Sequence, residues 1–398
     1  MNQLHNDIKE MAAKIWPELV QIRRHLHQHP ELSFEEVNTS QFVKSILNKH
    51  QINFSEGWVK HGIVATLKGK NTNDLCVALR ADMDALPIQE KNDLDYKSSV
   101  DGIMHACGHD VHMSCVLGAA IILESLKSLW EGEIKIIFQP GEEKLPGGAN
   151  LMIEQGVLKN PKPDAILGLH VQPGMEPGHC GFCPGPSMAS SDEIYITIEG
   201  KGGHAAMPDQ VIDPILISAQ IISSIQSVIS RNRPPLIPSV LSFGKIRSDG
   251  GATNIIPDRV FIEGTFRSLD ENWRVRGLKL IEEFIHKSSQ AFGGKAEVKI
   301  IRGYPCLHNS IPLTEEMMKI AGDYLGPSNV TQISAKLSSE DFAWYSQQIP
   351  ACFFRLGTGQ SSGVHTATFQ IDEKALEVGS GLMAWMAISL LSTHKNIL

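Results

Sequence analysis

The chain has 398 residues, of which 42% are hydrophobic and 20% charged, with a formal net charge of -8. This is the composition of a globular protein and not of a disordered or fibrous one. The length argues for two domains, and an acidic sum without a Lys/Arg-rich stripe argues against a nucleic-acid partner.

The first thirty residues place Ile8, Met11, Ile15, Leu19, Ile22 and Leu26 at steps of three and four, which predicts an amphipathic helix ending near His29-Pro30. Neither this stretch nor any later one is read as a signal peptide or as the run of about 20 apolar residues that spans a membrane, so the expectation is a soluble, cytoplasmic protein. Short β-rich runs follow at 62–69, 75–82, 133–140 and 165–170, separated by helical stretches at about 110–130 and 149–158. Such alternation predicts an α/β fold with a mostly parallel sheet flanked by helices.

From about Ser187 the order becomes β-α-β-β-α-β, with helices at 213–230 and 271–292 and runs at 193–200, 239–246, 259–267 and 295–303. That order predicts a split-βαβ, ferredoxin-like unit inserted into the larger domain. The α/β pattern then resumes with helices near 311–325 and 339–347, the run ACFFRLG and a last helix at 372–393. The expected division is 1–186 with 303–398 for the larger domain and 187–302 for the insert.

In an open α/β sheet, functional groups collect where strands end at their carboxyl termini. Such ends carry Asp82 and Asp84, then Glu142 and Glu143, then His170. Cys107 and His109 sit in the loop before the 110 helix, and His365 follows ACFFRLG. Thiolate, imidazole and carboxylate are the donors that hold zinc and other first-row divalent ions. Each alone has an ordinary explanation: a lone Cys is usually a small buried apolar residue, and adjacent glutamates usually mark a solvated loop. Their convergence on successive strand ends is what points to a metal site. Seven cysteines and no secretion signal argue against a disulfide framework, and sixteen histidines raise the same metal expectation.

Five segments carry a family resemblance: Asp82-Met83-Asp84-Ala85-Leu86-Pro87, Met104-His105-Ala106-Cys107-Gly108-His109-Asp110, Phe138-Gln139-Pro140-Gly141-Glu142-Glu143, Gly202-Gly203-His204-Ala205-Ala206 and Ser339-Glu340-Asp341-Phe342. The chain resembles the di-metal N-acyl-amino-acid amidohydrolases: hippurate hydrolase, N-acetyl-amino-acid deacetylases and auxin-conjugate hydrolases, within the aminoacylase and carboxypeptidase-G2-like metallopeptidases. The resemblance implies hydrolysis of the amide bond of an N-acyl-amino acid, with a dipeptidase or carboxypeptidase as the alternative. It implies two divalent metal ions (Zn, Mn, Ni or Co) on Cys107, His109, Glu143, His170 and His365, with the Cys107 thiolate as bridge.

Under the same resemblance Glu142 is the general base and Asp84 orients a metal-binding histidine. His204 is the oxyanion donor, supplied in dimeric relatives by the other subunit, so a homodimer through the inserted lid domain is implied. Asn254 and Arg267 match substrate-binding positions, and Arg suits a bidentate grip on an α-carboxylate. As in this amidohydrolase branch, Asp82 occupies the position where other relatives have a ligand histidine; one departure stands out, Pro208-Asp209 in place of a Pro-His pair. Cys180-Gly181-Phe182-Cys183 has redox-motif spacing but no following helix, and is read as packing. His25, His27 and His29 are read as a solvated helix face, and His105 and His112 as packing or supporting groups.

Overall fold

The computed structural model describes residues 2–71 and 75–393. The chain forms two compact units, Met1–Gly185 with His308–Ser334 and Asp341–Leu398, and Pro186–Leu307 with Ala335–Glu340. The segment Ala335–Glu340, which the chain-order reading leaves in the larger domain, belongs to the smaller unit. The Lys336 N–H donates to Ser187 O at 2.9 Å, and the Ala189 N–H to Lys336 O at 3.1 Å.

The larger unit is built on an eight-stranded sheet in the order Phe54–Trp58, Gly62–Lys68, Glu133–Gln139, Cys76–Asp82, Ala165–Gln172, Ala351–Gly357, Cys180–Phe182, Val330–Gln332. Its four central strands, from Glu133–Gln139 to Ala351–Gly357, are mutually parallel. Antiparallel pairing enters only toward the flanks, at Gly62–Lys68 and Cys180–Phe182. The central strands are almost wholly buried, as expected where helices cover both faces of a parallel sheet. Because they run the same way, Asp82, Gln139, Gln172 and Gly357 all lie at one edge, and the loops leaving that edge carry the candidate residues.

The helix His109–Ser125 is buried on every side from His109 to Leu123 and packs against Asn2–Gln28 and Lys374–Thr393. Gly118 allows the last of these approaches: a Cβ there would overlap Ser380. The final helix is long and apolar enough to cross a membrane, contrary to the sequence expectation, but 83% of its apolar window is buried inside the protein. Its composition is therefore that of a core helix.

Besides short strands such as Phe54–Trp58, Cys180–Phe182 and Val330–Gln332, the helix Val37–Lys49 escaped the sequence reading. Asn38, Thr39 and Ser40 are weak helix formers, and only Phe42, Val43, Ile46 and Leu47 supply an apolar stripe. Glu31 supports its start by accepting from the backbone N–H of Asn38 and Thr39 at 3.1 and 2.8 Å. The stretch expected to be helical at 339–347 keeps only Ala343–Ser346 as helix.

The smaller unit is a four-stranded antiparallel sheet in the order Ser239–Ser248, Arg259–Ser268, Asp192–Glu199, Lys295–Arg302. Helices Pro214–Asn232 and Glu271–Ala291 cover one face, and their Ile217, Ile221, Ile225, Ile281 and Ile285 bury against Ile194, Ile196, Ile198 and Ile262. Both helices start on an aspartate cap: Asp213 accepts from Ile215 and Leu216 N–H, Asp270 from Trp273 N–H. Arg274 ties the second helix to the sheet through two bonds to Asp192, at 2.6 and 2.8 Å.

In the larger unit, a Cβ on Gly148 would overlap the Pro140 carbonyl, which cannot yield without moving the glutamate loop, whereas one on Gly251 of the smaller unit meets open space. Gly148→Ala is expected to lose at least ~1–3 kcal/mol of stability, while Gly251→Ala stays within about 0.5 kcal/mol of wild type. Thermal unfolding of the two variants side by side checks this.

Candidate metal centre

Asp84 stands at the middle of the site because the strand Cys76–Asp82 delivers it, fully buried, to the sheet edge. Its Oδ1 accepts the Glu142 N–H at 3.0 Å, and its Oδ2 accepts the Glu143 N–H at 2.9 Å and the Ser33 hydroxyl at 2.6 Å. The same Oδ1 lies 3.3 Å from His109 Nδ1. One carboxylate thus orients the imidazole at the helix start and fixes the backbone of both glutamates.

Around it the candidate donors converge. Cys107 Sγ lies 3.4 Å from His170 Nε2 and 3.2 Å from His365 Nε2. Glu143 Oε1 is 3.3 Å from His365 Nε2 and 3.9 Å from His109 Nε2. Cys107, Glu143 and His365 can each offer one ligand atom within 4.8 Å of the others, and so can His109, Glu142 and Glu143. Glu143 is common to both groups. Local backbone makes this possible: Gly108 takes φ +87° between Cys107 and His109, and His365 itself takes φ +63°, a strained value for a non-glycine residue. The His365 N–H holds to Ala106 O at 2.8 Å, tying its loop to the Cys107 loop.

The electrostatics call for positive charge. Burial opposes a proton on His109, yet Asp82, Asp84 and Glu143 raise that imidazole to about 10. Burial, and then Glu143, Glu142 and Asp82, push the Cys107 thiol well above its usual value, so only a nearby cation makes it a thiolate. Burial and the Arg355 charge hold His170 well below the usual imidazole value, so it is neutral. Its Nδ1–H donates to Val171 O at 2.8 Å, leaving the Nε2 lone pair toward Cys107. His109 Nε2 and Glu143 Oε1 are buried without a hydrogen-bond partner. Buried unpaired donors of these types, facing one another, fit divalent metal ions.

Asp82, which lies with His109 and His112 in a further group able to face one ion, already has both oxygens bonded. Its Oδ2 accepts from Arg80 Nη1 and its Oδ1 from His112 Nδ1, both at 2.7 Å. His112 in turn accepts the Val171 N–H at Nε2, 3.0 Å away, which makes it a neutral support for the His170 strand end. Arg80, missed by the sequence reading, also reaches Gln139 Oε1 at 2.9 Å and Asp341 Oδ1 at 2.6 Å. The available signal was a charge inside an apolar strand run, which has to be paired.

His27 corrects another expectation. His25 and His29 are exposed, but His27 is fully buried between Asp110 at 2.9 Å and Glu90 at 3.1 Å, because its turn of the helix faces the metal-loop helix. Buried His105 is pushed down to about 4 by desolvation, so it packs as a neutral ring. Cys180 and Cys183 are buried, and burial raises the Cys180 thiol to about 12, as packing residues require.

In the smaller unit, His204 pairs with Ile255 in a two-stranded ribbon, and the Ala205 N–H donates to Asn254 O at 3.0 Å. His204 and Asn254 are therefore neighbours, both exposed. Half-buried Arg267 lies on the strand Arg259–Ser268, and its Nη1 donates to Leu337 O at 3.3 Å.

A parallel-centred sheet presenting thiol, imidazole and carboxylate donors at its carboxyl edge is an open α/β fold with a candidate metal centre. Residues 78–388 match the model of Peptidase family M20/M25/M40, and the chain belongs to that family. An N-acetyl-L-cysteine deacetylase of Bacillus subtilis is 40% identical over 95% of this chain and 89% of its own length. Thermostable carboxypeptidase 2 of Saccharolobus solfataricus is 39% identical over 98% of both chains. Among solved structures, a dinuclear metal binding peptidase of the M20 family from Bacillus subtilis superposes with a TM-score of 0.85 at 34% identity, over 96% of this chain and 99% of that one.

Glu36 offers a pH test of the surroundings. It is fully buried, its Oε1 accepts the Gly141 N–H at 2.7 Å, and burial with nearby Asp84 pushes its carboxyl to about 8. The folded state therefore holds this proton more tightly than the unfolded chain. Its contribution to stability is complete below the ordinary carboxyl range and declines as pH rises toward 8. Unfolding free energies of wild type and Glu36→Gln from pH 5 to 8.5 are expected to shift steadily in favour of the glutamine variant; a constant difference refutes it.

Proposed function

We propose that the protein hydrolyses the amide bond of N-acyl-amino acids, releasing a carboxylic acid and a free amino acid. The observation that carries this reading is the convergence of Cys107, His109, Glu143, His170 and His365, with Glu142 beside them, at one sheet edge. In this reading those five residues would hold two divalent ions (Zn, Mn, Ni or Co). Bound there, the ions supply a water of lowered pKa and a Lewis acid for the amide carbonyl.

The chain's own groups do the rest. Glu142 takes the proton of the attacking water and returns it to the leaving amine nitrogen, which needs a carboxylate beside the metal ligands but not committed to them. Asp84 supports this division by holding both glutamate N–H groups while it orients His109. His204 donates to the developing oxyanion, and Asn254 and Arg267 hold the substrate's amide and α-carboxylate. The ribbon that sets His204 beside Asn254 supports their acting together.

The smaller unit serves as lid and dimer surface. Exposed Val240 and Ile246 on the edge strand Ser239–Ser248 favour a second copy as its partner, and His204 acts across that dimer. The proposed setting is cytoplasmic.

Carboxypeptidase action is the second reading, favoured by the similarity to an enzyme named as one. Rates on N-acetyl- and N-benzoyl-amino acids are expected to exceed those on unblocked dipeptides of the same C-terminal residue at least ~10-fold, a difference of about 1.4 kcal/mol in transition-state binding. The reverse order favours peptide hydrolysis. Glu142→Gln is expected to keep bound metal and lose ~10²- to 10⁴-fold in kcat, whereas Glu143→Ala loses metal as well. Elemental analysis with steady-state kinetics reads both; metal loss confined to the first variant reverses the roles.

A further inference from the structure

The segment Ser339-Glu340-Asp341-Phe342 has no part in the chemistry above, yet the Asp341 carboxylate is among the most heavily bonded groups of the larger unit. It is fully buried. Arg80 Nη2 donates to its Oδ1 at 2.6 Å, Gln139 Nε2 donates to Oδ1 at 2.9 Å and Oδ2 at 2.7 Å, and the Ala149 N–H donates to Oδ2 at 2.9 Å. Its backbone N–H donates to Glu142 Oε1 at 3.3 Å.

These partners bracket the loop that carries Glu142. Gln139 is the last residue of the strand that leads into the loop, and Ala149 lies in the first turn of the helix that leaves it. A single carboxylate therefore grips both ends of the loop while its own peptide reaches the Glu142 carboxylate. Arg80 anchors that carboxylate through a charge-assisted bond, and its other arm holds Asp82. A buried group with this many donors has little freedom, so its N–H has a fixed position and direction.

We propose that Asp341 is a positioning residue for Glu142, fixing through its anchored peptide N–H where the Glu142 carboxylate stands relative to the water it deprotonates. Asp341 is not one of the five proposed metal ligands, and its bonds to Arg80, Gln139, Ala149 and Glu142 surround the base, so its loss is expected to misplace the base without emptying the metal centre. Small displacements of a reacting group carry large rate costs. The inference rests on the reading of Glu142 as the general base.

The test is a double-mutant cycle on the metal-loaded enzyme with an N-acetyl-amino acid as substrate. Asp341→Asn is expected to lower kcat about 10- to 100-fold, with KM within about 2-fold and metal content unchanged. Combined with Glu142→Gln, the two losses are expected not to multiply, because Asp341 acts through Glu142. Gln139→Met removes two of the bonds while leaving Arg80 both of its carboxylates. It is expected to reproduce the kcat-selective loss more mildly, and it answers the question should Asp341→Asn not fold. Wild-type kcat in a folded variant, losses that multiply, or metal lost in step with activity overturns the inference. If Glu142→Gln turns over like wild type, the general-base reading itself fails; if only the Asp341 and Gln139 variants do, that reading stands and this inference alone falls.

Discussion

Everything at the sheet edge depends on the buried carboxylate of Asp84. It accepts both glutamate N–H groups and sits against the His109 ring, so the loop bearing the proposed base and the loop bearing the first candidate metal donors are set by one group. Burying such an anion is costly unless it is fully bonded. Here the cost is met by backbone donors, the Ser33 hydroxyl and the imidazole, and the result is a rigid support under a cluster that demands positive charge.

Supporting interactions extend outward in layers. Asp82, with both oxygens bonded, passes orientation through His112 to the Val171 peptide beside His170. Arg80 joins Asp82 to Asp341, and Asp341 joins the strand end to the helix that closes the glutamate loop. On the far side of the metal loop, Asp110 pairs with Arg23 and His27 and locks the N-terminal helix in place. Buried charges paired in this way contribute little net stability; their use is to hold donors at fixed distances before metal or substrate arrives.

Much of this was legible in the sequence because the chemistry is written in unusual residues at strand ends. The alternation of apolar runs with helical stretches gave the central strands, and the β-α-β-β-α-β order gave the sheet of the smaller unit. Polar side chains that work by being buried were harder to read. Arg80, Glu36 and His27 each look like ordinary surface residues by type, and only the packing of distant segments shows what pairs them. The helix Val37–Lys49 was missed because its first turn is polar and is held by Glu31, a tertiary contact with no periodic signature. The expected helix at 339–347 shrank because Ala335–Glu340 belongs to the smaller unit and the Asp341 side chain is committed to bonds inside the larger one.

The central proposal is that Cys107, His109, Glu143, His170 and His365 would hold two divalent ions. Anomalous scattering from crystals of the active enzyme loaded with manganese or zinc tests it most directly. The account predicts two peaks roughly 3.5–4 Å apart, one reached by His109, with Glu142 outside the ligand set. A single peak, or peaks away from these five side chains in protein that still hydrolyses N-acyl-amino acids, contradicts it.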